Sequence, residues 1–111
     1  MLKIEMRLDE TKISTEQKYE ISDIYTAIER KFEKYQFVKA IDADGTISYK
    51  GIGKANEYGA FGKIITSLKN EEWFMPYVIK WLWFNSDDGM DEEDFIVEDI
   101  LYHYTKRESV A

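Results

Sequence analysis

The sequence predicts an α+β fold of the ferredoxin-like split βαβ kind (βαββαβ), a four-stranded antiparallel sheet with two helices across it and an added helix at the C-terminus. Three observations lead there. Apolar and charged residues alternate strictly at the start of the chain, a long segment at helical spacing follows, and an Asp-Gly turn then separates two β-prone runs. With 111 residues and no repeat or linker, the chain is expected to be a single domain over 1–111.

Taken in order, Leu2, Ile4, Met6 and Leu8 alternate with Lys3, Glu5, Arg7 and Asp9, the period of a strand with one buried face. Residues 10–13 read as a connection, and Ser14 with Gln17 forms a capping box for one long helix from about Thr15 to Tyr35, whose apolar stripe is Ile21, Ile24, Tyr25, Ile28, Phe32 and Tyr35. Phe37–Ile41 and Thr46–Ile52 form a hairpin about Asp42-Ala43-Asp44-Gly45. A second helix, capped by Asn56, carries Tyr58, Phe61, Ile64, Ile65 and Leu68 inward, with Gly59 and Gly62 weakening it. Pro76–Phe84 is dense in β-branched and aromatic residues and reads as the last strand, with a buried helix begun by Pro76 as the rival. Phe95, Val97, Ile100, Leu101 and Tyr104 then suggest a third helix from Asp91 to about Arg107.

Composition narrows the chemistry. The chain has no cysteine, which removes disulfides, thiolate nucleophiles and cysteine metal sites. The alternating N-terminus does not form the uninterrupted apolar core of a secretory leader, and no apolar run is long enough to span a bilayer, so a cytoplasmic, membrane-free protein is expected. A net charge of −7 without a Lys/Arg cluster disfavours direct nucleic-acid binding.

The sequence singles out no catalytic, cofactor-binding or metal-binding residue. Asp42-Ala43-Asp44-Gly45-Thr46-Ile47-Ser48 matches the middle of an EF-hand loop, yet the positions of its first ligand and its closing acid are Ala40 and Gly51, so a hairpin turn is the better reading. Gly51-Ile52-Gly53-Lys54 lacks the spacing of a phosphate-binding loop and reads as a backbone device. His103, the single histidine, has no partner for zinc or for a catalytic triad and reads as a surface residue.

Charge distribution is the most informative feature. The first 80 residues balance 13 acids with 13 bases, whereas the last 31 hold nine acids against Lys106 and Arg107. This acidic segment directly follows the aromatic run, in which Tyr77, Ile79, Trp81 and Trp83 point one way and Val78, Lys80, Leu82 and Phe84 the other. Both faces therefore carry apolar weight. One meets the helices, and the other is to be covered by the C-terminal helix or a second chain. The expected interaction surface is Trp81, Trp83 and Phe84 together with Asp87, Asp88, Asp91, Glu92 and Asp94, suited to a basic protein partner.

The run Tyr77-Val78-Ile79-Lys80-Trp81-Leu82-Trp83-Phe84-Asn85-Ser86-Asp87-Asp88-Gly89, with Glu98-Asp99-Ile100-Leu101-Tyr102-His103-Tyr104-Thr105-Lys106 after it, resembles a group of small uncharacterised accessory proteins of Gram-positive bacteria, some carried on conjugative-transposon-type elements. The resemblance implies a bacterial accessory protein and carries over no site residues. The expected function is a non-enzymatic protein-interaction or regulatory module, either monomeric or homodimeric. A small-ligand sensor with a pocket beside Tyr58, Phe61 and Trp81 and an acidic inhibitor that imitates nucleic acid are the alternatives.

Overall fold

A computed structural model describes residues 1–86 and 96–110. The elements are β1 (Leu2–Leu8), α1 (Glu10–Glu16), α2 (Ile21–Phe32), β2 (Val38–Ile41), β3 (Ile47–Lys50), α3 (Glu57–Lys69), β4 (Val78–Asn85), β5 (Ile96–Asp99) and α4 (Ile100–Thr105). The strands form one antiparallel sheet in the order β2-β3-β1-β4-β5. Alternation in β1 puts Ile4, Met6 and Leu8 in the core, where they meet Ile24, Ile28 and Phe32 of α2 and Phe61, Ile64 and Leu68 of α3. Among the described residues no helix is long and apolar enough to cross a membrane.

This architecture corrects the expected four-stranded ferredoxin-like sheet with an appended helix. The sheet has five strands, and the added one is built from residues that had been placed in the third helix. Ile96 and Val97 are β-branched, and the outer edge of β4 offers them a hydrogen-bonding partner, so Phe84 pairs with Val97 and Asn85 with Ile96. A helix starts only at Ile100, where the Asp99 side chain accepts from the Tyr102 N–H as an N-cap. The proposed helical start at Asp91 lies outside the described residues.

The segment 10–13, expected to be a connection, is helical instead, and of the long helix expected over Thr15–Tyr35 only α2, Ile21–Phe32, forms beyond the end of α1. Asp9 rather than Ser14 caps α1, accepting from the Lys12 N–H. Gln17 ends it in the left-handed region at φ 55°, its N–H bonded to the Ile13 carbonyl. The break has a packing reason: α1 turns Ile13 into the core directly beyond β1, whereas α2 buries Ile24, Ile28 and Phe32. The hairpin forms as predicted, with Gly45 at φ 88° and the Asp44 carboxylate accepting from the Thr46 N–H.

Strand β4 replaces the helical alternative for Pro76–Phe84. Its register against β1 slips between Arg7 and Leu8, which pair with Lys80 and Val78, so Ile79 is the extra residue. The slip breaks the expected alternation: Val78 is buried together with Trp81 and Trp83, while Ile79 is only half-buried. Nor does α4 cover the opposite face of this strand. Ile100 and Leu101 join the core that contains Trp81, and the Tyr104 ring lies 5.9 Å from Trp81, so α4 extends the helix-covered layer. On the other face Glu5 bridges Lys3 and Lys80 at 3.2 and 3.4 Å, and the Lys3 ammonium stands 4.4 Å from the Phe84 ring.

Candidate functional site

The C-terminal segment builds the site by leaving and rejoining the sheet. Where β5 gives way to α4, the outer edge of β4 loses its strand partner and its backbone groups need substitutes. Ser109 and Val110 supply them: the Ser109 hydroxyl accepts from the Trp81 N–H at 3.0 Å, and the Val110 N–H donates to the Ile79 carbonyl at 2.9 Å. Helix α4 is thus an excursion between two segments that lie along the same edge.

Asp99 closes the base of that excursion. Its carboxylate accepts from the Ser109 N–H at 2.8 Å, the Ser109 hydroxyl at 2.6 Å and the Tyr102 N–H at 3.2 Å. Burial by itself raises the pKa of Asp99, but these hydrogen bonds, led by those from Ser109, outweigh it and hold the carboxyl below its ordinary value. At the other end, Lys106 terminates α4 at φ 64° with its N–H on the Tyr102 carbonyl.

Between this excursion and α3 lies a cleft of about 540 Å³. Trp83 of β4 and Glu98 of β5 are cross-strand partners and form one side, Tyr58, Gly62 and Ile65 of α3 form another, and Tyr102, His103, Tyr104 and Lys106 close it. Trp83 is held by aromatic neighbours. Phe61 meets it edge to face at 5.2 Å, Phe37 stacks on Phe61 at 4.2 Å, and Tyr58 stands across its exposed rim at 6.1 Å and 76°. Two of the chain's own cations stand over rings that line the cleft, the Lys69 ammonium 4.7 Å from Tyr104 and that of Lys106 5.4 Å from Tyr102.

Two glycines beside the site differ in what surrounds them. A Cβ added at Gly62, on the cleft wall, would meet no atom within 4 Å, so no contact there requires glycine. Gly51 is the reverse case, since a Cβ there would sit 2.5 Å from Glu57 Oε1. Glu57 is buried and accepts from the Ile52 and Gly53 N–H groups at 2.7 and 3.0 Å. The glycine-rich loop therefore wraps a carboxylate of its own chain, which anchors the start of α3; the Asn56 side chain makes no cap.

The sequence-derived interaction residues divide clearly. Trp81 is fully buried and Trp83 is 8% exposed, so both serve the core, with Trp83 reaching the cleft only as its lining. Phe84 is half-buried on the opposite face beneath Lys3. Asp87, Asp88, Asp91, Glu92 and Asp94 lie outside the described residues. What composition did not single out are exposed apolar residues at this end: Tyr58 at 66% on the cleft wall, and Ile96 at 68% and Val97 at 50% on β5. Tyr58 had been placed with Phe61 on the core face of its helix; Phe61 is fully buried there, whereas Tyr58 is exposed. Ile96 and Val97 were hidden by a helical reading of their segment. His103 is exposed as expected and lies on the cleft wall.

No protein-family model, no curated protein and no solved structure matches the chain.

Proposed function

We propose that the protein is a non-enzymatic module that binds another protein, of basic character, through the outer edge of β5 and the adjoining rim of the cleft. One observation carries this reading: β5 is a terminal strand of the sheet, and it presents Ile96 and Val97 to solvent beside an aromatic-lined cleft. Exposed apolar edge strands attract other chains unless they are blunted, and folded proteins ordinarily protect them with lysine, proline or a covering element. The other terminal strand, β2, also exposes apolar residues, Val38 and Ile41, but carries Lys39, paired to Glu29 at 3.2 Å, whereas β5 carries no lysine. Glu98, exposed on β5, gives this edge an acidic group for a basic partner.

The test is capture from a lysate of the encoding organism with quantitative mass spectrometry, comparing wild type with Val97→Lys and with Ile41→Lys on the opposite edge. A protein retained by wild type and by Ile41→Lys but lost with Val97→Lys supports the reading. Equal retention by all three chains overturns it.

The cleft volume favours a second reading, a small-ligand site, because about 300–1,000 Å³ is the usual range for such pockets. Gly62→Leu separates the two, since it fills the cleft from α3 and leaves the β5 edge untouched. Loss of a small-molecule thermal shift in that variant, with protein capture intact, favours the ligand site.

A further inference from the structure

We infer that the partner adds an extended strand to the outer edge of β5 and sets an arginine or lysine opposite Glu98. This rests on the reading of β5 as the contact edge and specifies what meets it.

The sheet geometry fixes where side chains of an added strand would point. Residues directly opposite across a strand pair face the same side of the sheet, and successive residues alternate. Glu98 stands opposite Trp83, so a partner residue aligned with Glu98 extends that row and faces the cleft. Residues aligned with Ile96 and Val97 meet exposed apolar side chains. The partner segment therefore reads apolar, apolar, basic when followed from the Ile96 end to the Glu98 end.

Charge selects the third position. Asp99 is already engaged by Ser109 and Tyr102, whereas Glu98 is exposed and makes no side-chain hydrogen bond or ion pair among the described residues. Lys106 lines the same cleft, but its ammonium stands over the Tyr102 ring and makes no ion pair with Glu98. A second copy of the chain is a poor occupant, because pairing β5 with itself brings two Glu98 and two Asp99 carboxylates along one seam.

The experiment uses the full chain and two fluorescein-labelled extended peptides, identical but for arginine or glutamate at the position opposite Glu98, read by anisotropy. The arginine peptide should bind at least tenfold more tightly, and amide exchange over Ile96–Asp99 should slow when it does. Glu98→Gln should shrink the preference and Glu98→Lys should invert it, with unchanged thermal midpoints showing that both variants fold. Equal affinity for the two peptides, no binding of either at millimolar concentration, or a preference indifferent to Glu98→Lys overturns the inference. The broader reading is judged separately. If Val97→Lys still abolishes capture of the natural partner, the β5 interface stands without the cationic strand; if it does not, both fall.

Discussion

Replacing Asp99 with alanine should release the C-terminal excursion from the sheet. Three hydrogen bonds end on this carboxylate, at 2.6 and 2.8 Å from Ser109 and 3.2 Å from Tyr102. Loss of the N-cap costs about 1 kcal/mol, and each bond from Ser109 to a charged acceptor about 1.5 kcal/mol. Because the site is partly exposed, the expected total is discounted to about 2–3 kcal/mol, a large share of the 5–15 kcal/mol typical of a domain. Urea unfolding should show it as a midpoint lowered by roughly 1 M at an m-value near 2 kcal/mol/M. Ser109→Ala should cost less, and the double variant should fall short of the sum, because both changes break one network. The effect also has a pH signature. A carboxyl held below its ordinary value stabilises the fold above the unfolded pKa of about 3.9, and that contribution disappears as pH falls through the folded value. The gap between wild type and Asp99→Ala should therefore be constant near neutrality and narrow below about pH 4. A loss under about 0.5 kcal/mol, or strict additivity with Ser109→Ala, would refute the assignment of Asp99 as the anchor.

Further expectations follow from the same geometry. Gly51→Ala should destabilise by about 1–3 kcal/mol, because its Cβ displaces a buried carboxylate from two backbone donors, and Glu57→Ala in the same chain should remove the steric part of that cost. Gly62→Ala should raise stability by about 0.5–1 kcal/mol in urea unfolding, since the site is helical and has room; a loss would show that the cleft wall is closed there. Burial, helped by Glu29, pushes the Tyr49 hydroxyl up to about 12, and burial with Glu10 pushes that of Tyr25 up as well. The unfolded chain ionises first, so stability should hold to about pH 10 and fall as pH rises beyond it, with phenolate absorbance appearing late for these two residues.

Much of the scaffold was legible from local pattern. The alternation in β1, the Asp-Gly hairpin and the aromatic composition of β4 are signals carried within a few residues, and each element formed where its signal lay. What escaped depended on distant partners. Ile96 and Val97 have helical spacing with Ile100 and Tyr104, and only the open edge of β4 makes them a strand. Asp9 outcompetes Ser14 as a cap because the chain must turn immediately beyond β1 to bury Ile13. The candidate site was displaced for the same reason: Trp81 and Trp83 looked available in sequence but are enclosed by Phe61, Phe74 and Tyr104, which leaves Tyr58, Ile96 and Val97 at the surface. Asp99 as an N-cap followed by six helical residues was the one local signal for this end, and it was masked by the acidic run before it.

The most direct test of the β5 interface is residue-resolved amide exchange on the full chain, alone and with the captured partner. The account predicts that protection increases by at least tenfold within Ile96–Asp99, with smaller changes at Tyr58 and Tyr102 on the cleft rim. Protection that appears along Val38–Ile41 at the other edge, while Ile96–Asp99 exchanges as in the free protein, would contradict it.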